Sequence, residues 1–203
     1  MTGFAGFDVS RETMERLELY AELLRKWNPR INLVSKTTIQ ELWTRHFLDS
    51  AQLIEIAPRV SGYWVDLGSG GGFPGLVLSI IGQERGLPRH VTLVESDARK
   101  AAFLRTVIRE ADLPARVIND RIENIPGLGA DVVSARALAD LSSLIGYADQ
   151  HLLPGGTAIF PKGARWEKEL ADAQSKWNFA HRLDKSITED GPVILSVTGV
   201  SRV

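Results

Sequence analysis

The sequence predicts an α/β fold: a mostly parallel seven-stranded sheet with helices on both faces, an antiparallel hairpin at one edge, and a helical extension at the N-terminus. Three observations predict it. From Tyr63 onward, short apolar runs alternate with helical patterns, the rhythm of strand–helix–strand units that build parallel sheets. The last two strand-like runs lie close together with Asp190-Gly191-Pro192 between them, which makes one edge antiparallel. Before residue 61 the apolar spacing is helical.

The elements follow in order. From about Ser10 to Trp27, Leu17, Tyr20, Ala21, Leu23 and Leu24 fall at helical spacing, with Ser10 and Thr13 offering an N-cap. Asn28-Pro29 is expected to stop this helix, because the residue before proline avoids the α region. A second helix is expected from about Thr38 to Ile56, ending before Pro58. Tyr63 to Leu67 is a short apolar strand, followed by a glycine-rich turn and a helix beginning near Pro74, a residue suited to a first helical turn. His90 to Glu95, Ala115 to Asn119, Ala130 to Ser134 and Thr157 to Phe160 are the next strands. Ala98 to Ala111, Asp140 to Gln150 and Trp166 to Trp177 are the helices among them, and strands near Ala180 to Ser186 and Val193 to Val200 close the chain. At 203 residues the chain fits one domain with a modest extension. Residues 1–60 are expected to form the helical extension packed on the core, and residues 61–203 the core domain.

Composition narrows the function classes. The chain has no cysteine, which excludes disulfides, thiolate metal sites and a thiol nucleophile. Met1 to Phe7 carries no basic region followed by an apolar stretch, so no secretory signal is expected. No uncharged apolar run approaches the roughly 20 residues that cross a bilayer. A cytoplasmic protein without a membrane partner is therefore expected. A net charge of -1 argues against a positive coat, yet between Arg25 and His46 five basic residues stand against Glu41 alone. That segment is either a solvated helical surface or a local face for nucleic acid. The four histidines have no paired short spacing, so no metal is expected. Gly68-Ser69-Gly70 lacks the nucleophile elbow of hydrolases.

The turn Asp66-Leu67-Gly68-Ser69-Gly70-Gly71-Gly72-Phe73-Pro74-Gly75 joins a strand to a helix. Such a turn gathers backbone N–H groups and the positive end of a helix at one point, and its glycines let a ligand approach the backbone. Gly70, Gly72 and Gly75 spell the dinucleotide fingerprint, with Glu95 at the end of the next strand. Asp66, just before the first glycine, suits a ligand with positive charge better than a pyrophosphate. S-adenosylmethionine carries an ammonium and a sulfonium and no phosphate, and Glu95 can accept hydrogen bonds from ribose hydroxyls. The plainer alternative is that Asp66 and Glu95 cap helix N-termini. A nicotinamide enzyme is the other alternative, and it would need more chain for its substrate.

Ordered motifs add a resemblance. Trp27-Asn28 with Asn32-Leu33, Arg45 to Ser50, Asp66 to Gly75, Val94-Glu95-Ser96 with Lys100 and Phe103-Leu104, Arg121-Ile122-Glu123, Ser134 with Arg136-Ala137, and Lys162-Gly163 occur in one order. In this the chain resembles the bacterial small-subunit ribosomal RNA methyltransferase G family, also called glucose-inhibited division protein B. The resemblance implies a class I (Rossmann-like) methyltransferase fold that uses S-adenosylmethionine to methylate N7 of one guanine, guanine 527, in 16S rRNA. The substrate would be the small ribosomal subunit or an assembly intermediate, and the enzyme a monomer. It implies that Gly68 and Phe73 contact the cofactor with Ser69 and Gly70, that Ile122 and Glu123 lie beside its adenine, and that Arg136 lies at the far side of the pocket. Asp66 and Glu95 match the loop's acidic neighbours, and Arg45 and His46 match RNA contacts.

Guanine N7 offers an in-plane lone pair and loses no proton when methylated, so the chemistry needs alignment rather than a base. Arg136 and Lys162 are the candidates for a catalytic contribution. Lys162 and Arg165, after the fifth strand, sit where substrate RNA would approach. Each basic residue also has a plainer reading: Arg45 paired with Asp49 one helical turn on, His46 packed in the core, Arg136 paired with Asp66 or Asp140, and Lys162 and Arg165 in a solvated loop. The rival functions are a small-molecule methyltransferase and a non-catalytic cofactor-binding protein.

Overall fold

The computed structural model describes residues 2–4, 7–59 and 62–203. Met1, Ala5 and Gly6, part of the stretch read for a leader, lie outside the described residues, as does the expected boundary at residues 60 and 61.

A short antiparallel pair, β1 (Thr2–Phe4) and β2 (Phe7–Val9), precedes α1 (Arg11–Ile31). Ser10 caps α1, its Oγ accepting the Thr13 amide at 3.1 Å, which satisfies an amide with no partner inside the helix. The expectation that Asn28-Pro29 stops this helix is corrected. Pro29 lies inside α1, which ends at Asn32 in a left-handed conformation, φ 50°. The carbonyl deprived by the proline belongs to Arg25, an exposed residue. Asn28 Oδ1 meanwhile accepts the Val34 amide at 2.9 Å and secures the following turn.

The expected helix from Thr38 to Ile56 is also corrected. It is a π-helical turn, Trp43–Leu48, followed by two short helices, α2 (Asp49–Ala51) and α3 (Leu53–Ile56). Ser50 Oγ donates to the His46 carbonyl at 2.6 Å, a back-bond of the kind that disturbs regular helix. The wider turn buries His46, Phe47 and Leu48 in succession. Such turns recur at functional sites.

The rest alternates as expected: β3 (Tyr63–Leu67), α4 (Gly75–Arg85), β4 (His90–Val94), α5 (Ala98–Glu110), β5 (Ala115–Ile118), a 3₁₀ turn at Ile122–Asn124, β6 (Ala130–Ala135), α6 (Leu141–His151), β7 (Leu152–Lys162), α7 (Trp166–Gln174), β8 (Trp177–Lys185) and β9 (Val193–Arg202). The sheet order is β5-β4-β3-β6-β7-β9-β8. The five strands from β5 to β7 are parallel, while β9 is antiparallel to both β7 and β8. β7 runs well beyond the Thr157 to Phe160 core read from the sequence.

Two apolar layers sandwich the sheet. On one face Leu17, Tyr20, Leu24 and Phe47 from the N-terminal helical region pack with Trp64, Leu76, Leu93 and Phe103. Val65, Leu67 and Val133 pack on the other with Leu144, Ile145, Ala148 and Trp177. α4 is buried from Gly75 to Gly82, since α1 covers its outer side. Chain order reverses between β3 and β6, and open α/β sheets bind ligands above the strand ends at that switch point.

Candidate active site

The glycine turn is held from beneath. Asp66, at the end of β3, is fully buried. The parallel register sets it beside Ser134 of β6, whose Oγ donates to Asp66 Oδ1 at 2.8 Å. Asp66 Oδ2 accepts the amide of Gly75, the first residue of α4, at 3.3 Å. Burial raises the Asp66 carboxyl to about 6, with the hydrogen bonds from Ser134 and Gly75 among the opposing effects. The expectation that Asp66 meets a ligand's positive charge is therefore corrected: its carboxylate is spent on Ser134 of the neighbouring strand and on the helix start. Ser69, also buried, donates from Oγ to the Asp66 carbonyl at 2.9 Å and accepts the Gly72 amide at 2.7 Å.

Glycine is required at the loop's two ends. A Cβ on Gly68 (φ +64°) would stand 2.5 Å from Leu138 Cδ1, and one on Gly72 (φ +96°) 2.4 Å from Leu76 Cδ1. At Gly70 an added Cβ would meet only the Gly68 carbonyl oxygen, 3.8 Å away, so bare backbone faces open space there. Glu95, past the end of β4, accepts the Gly70 amide on Oε2 and the Asp97 amide on Oε1, each at 2.8 Å. Each oxygen keeps a further lone pair, so two ribose hydroxyls can donate to this pair of acceptors. Ile122 is buried, and Glu123 is exposed with its Oε1 accepting from Tyr147 Oη.

Phe73 is almost fully buried against the N-terminal helical region, its ring 5.3 Å from Tyr20, 5.5 Å from Phe47 and 4.9 Å from His46. Tyr20 Oη donates to the Gly71 carbonyl. The loop thus rests on an aromatic bed that spacing alone read only as helix core.

Arg136 joins the loop to the other half of the site. Its guanidinium lies over the Phe73 ring, 5.1 Å from the centroid. Nη1 contacts Asp49 Oδ2 and the Arg45 carbonyl, both at 3.3 Å, and Nη2 lies 2.8 Å from His46 Nδ1. Its carboxylate is neither Asp66 nor Asp140, as the plainer reading had it, but Asp49. Arg45, expected beside Asp49, pairs with Glu189 in the β8–β9 loop. The π turn takes Asp49 out of the one-turn register that would place it beneath Arg45, while Asp66 is engaged by Ser134 and Gly75 and Asp140 by Ser143. Asp49 and Arg136 are 87 positions apart, so no local spacing signalled the pair.

Beyond Arg136 opens a cleft of about 1060 Å³. Arg45, His46, Arg136, Lys162 and Arg165 all line it, so the structure brings together every residue expected on the RNA side. Lys162 Nζ is paired with Glu169, while Arg165 is exposed. Among the described residues no three His, Asp or Glu side chains gather as they would around a metal ion, and no helix is long and apolar enough to cross a membrane.

A solved structure similar to this chain is an O-methyltransferase from Bacillus cereus in complex with SAH, with a TM-score of 0.58 at 16% identity, covering 96% of this chain and 94% of that one. The fold, with its parallel sheet and antiparallel edge, is that of the class I S-adenosylmethionine-dependent methyltransferases. The family described as rRNA small subunit methyltransferase G matches residues 13–192. The protein of that name from Ruegeria pomeroyi is 54% identical over 196 residues, 97% of this chain and 96% of its own length. Its namesake from Ruegeria sp. strain TM1040 is 52% identical, over 97% and 95%. The chain belongs to the rRNA small subunit methyltransferase G family.

Proposed function

We propose that this chain transfers the methyl group of S-adenosylmethionine to N7 of guanine 527 in 16S rRNA, acting as a cytoplasmic monomer on the small ribosomal subunit or its assembly intermediate. Residues 1–60 serve as an extension packed on the methyltransferase domain, residues 61–203. The observation that carries this reading is the division of the sheet's carboxyl edge at Arg136. The glycine turn and Glu95 lie to one side, and to the other lies a cleft of about 1060 Å³ lined by Arg45, Lys162 and Arg165, at the upper end of pockets for small ligands.

On the first side, the backbone of Gly68, Ser69 and Gly70 and the lone pairs of Glu95 hold the ribose, while Ile122 and Glu123 flank the adenine. Phe73 shapes the turn, and Asp66 acts through the loop. Arg136 keeps Nε–H and one Nη2–H unused by Asp49, Arg45 and His46, and these suit the cofactor's carboxylate. Bound there, S-adenosylmethionine supplies a methyl group on a positively charged sulfur. Guanine N7 needs no deprotonation, so the side chains align the partners rather than move protons, an effect worth about 7–11 kcal/mol. In the cleft, Arg45 and Lys162 exchange Glu189 and Glu169 for RNA phosphates, and Arg165 offers its guanidinium directly. Of the catalytic candidates, Arg136 bridges the two halves and Lys162 holds RNA.

Mass spectrometry of 16S rRNA from a strain lacking the gene tests the substrate: one N7-methylguanine should disappear, and an unchanged pattern overturns the assignment. Calorimetry tests the cofactor side. Glu95→Ala should weaken S-adenosylmethionine binding about 10- to 100-fold, and unaltered affinity removes Glu95 from the site.

A further inference from the structure

His46 lines the cleft yet is only 8% exposed. Its Nδ1 lies 2.8 Å from Arg136 Nη2. A guanidinium has donors only, so Nδ1 accepts, and the proton of the neutral ring sits on Nε2. Burial, with Arg136 and Arg45 nearby, holds this ring neutral by drawing its pKa down to about 3. The Nε2–H group is buried and meets no acceptor among the described residues. Buried donors in native proteins almost always have partners, and an exception calls for an explanation. The arrangement is held from several directions. Asp49 and the Arg45 carbonyl restrain Arg136, and both Arg136 and the His46 ring rest on Phe73.

We infer that His46 donates a hydrogen bond from Nε2 to O6 of the target guanine and so selects guanine over adenine. The inference rests on the reading of N7 as the methylated atom. Along that edge guanine presents two acceptors, N7 and O6, whereas adenine presents N7 beside an amino donor. A histidine locked as a donor meets O6 and opposes the adenine amino group. Arginine, the commonest reader of this edge, grips O6 and N7 together and would cover the atom to be methylated. Its charge would also oppose the positive charge that methylation leaves on the ring. A neutral imidazole avoids both conflicts, and Asp49 and Arg136 act as positioning residues that keep it in the donor form.

The test uses the full chain with unmethylated 16S rRNA fragments carrying guanine or 2-aminopurine at the target; 2-aminopurine keeps N7 and lacks O6. The native chain should methylate the 2-aminopurine substrate with about 10- to 100-fold lower kcat/KM. In His46→Ala that ratio should fall toward one, and His46→Gln, which retains an N–H donor, should restore part of it. Equal use of both substrates by the native chain overturns this inference and leaves the N7 reading intact. Failure to methylate N7 of the guanine substrate overturns both. Imidazole ¹⁵N NMR of the native chain supplies a second readout, the His46 signal being the one absent from His46→Gln. A neutral ring protonated at Nε2 is expected at neutral pH, and an Nδ1-protonated or cationic ring overturns the inference.

Discussion

The β3–β4 half and the β6–β7 half of the sheet's carboxyl edge are built by opposite means. In the first, the loop closes on itself through short-range bonds, Gly72 to Ser69, Ser69 to Asp66 and Gly75 to Asp66. It is braced by neutral or backbone groups from Tyr20 and Ser134 and by Glu95. Positive-φ glycines let the chain turn back on itself there, and Asp66 and Ser69 are buried. In the second, three of the cations are held by acids, Arg45 by Glu189, Arg136 by Asp49 and Lys162 by Glu169, while Arg165 stands exposed. A half defined by backbone sterics is preorganised, which suits a cofactor of constant shape. A half made of ion pairs can trade a carboxylate for a phosphate, which suits a large anionic substrate that must bind and leave.

Gly72→Ala presses hardest on this contrast. The new Cβ would meet Leu76 Cδ1 at 2.4 Å and Tyr20 Oη at 2.8 Å with φ at +96°. Left-handed strain and overpacking together should cost about 2–4 kcal/mol in urea unfolding. A loss below about 1 kcal/mol would show the loop to be adaptable after all.

Asp66→Asn comes next, through pH. The folded carboxyl is raised to about 6 from an ordinary 3.8, so the folded chain holds a proton that the unfolded chain has released. That contribution is fully present below about pH 4 and is lost as pH rises through 6. The native chain should therefore gain about 1–2 kcal/mol on Asp66→Asn as pH falls from about 7 to about 5. Parallel stability curves would mean that Asp66 is ionised throughout that range.

On the cleft side, Lys162→Gln should leave the fold intact and reduce the slope of log RNA affinity against log salt by about 1. An unchanged slope would mean that Glu169 never releases Lys162. The smallest effect belongs to Glu189→Gln. The pair it breaks is partly exposed, so thermal or urea unfolding should move by less than about 1 kcal/mol, while RNA binding strengthens a few-fold because Arg45 is freed. Weaker RNA binding would make Glu189 a support of the site rather than a stand-in for phosphate.

How much was legible followed the range of the forces involved. The strands from Tyr63 onward are runs whose apolar pattern is itself the cause of their burial. The glycine turn was legible because a turn's conformation is set largely by its own residues, and Glu95 because it ends the next apolar run. Pro29 misled the reading because it falls in the last turn of α1, where the carbonyl it leaves unbonded belongs to an exposed residue. The π turn did so because side-chain bonds and packing around Ser50 and Phe47 decided it rather than local preference. Asp66 was placed correctly at a strand tip and given the wrong task, since only the neighbouring strand brings Ser134 to its carboxylate.

By itself, then, the sequence determined the order and type of the elements from Tyr63 onward, the glycine turn and the set of cations at the sheet edge, all properties of short segments. Only the tertiary structure decided which acid holds each cation, that His46 faces Arg136 as an acceptor, and that Phe73 lies under both. The reason is geometric. Hydrogen bonds and ion pairs act over a few ångströms, and partners 87 to 91 positions apart come within that reach only after the sheet order and the N-terminal helical region have packed.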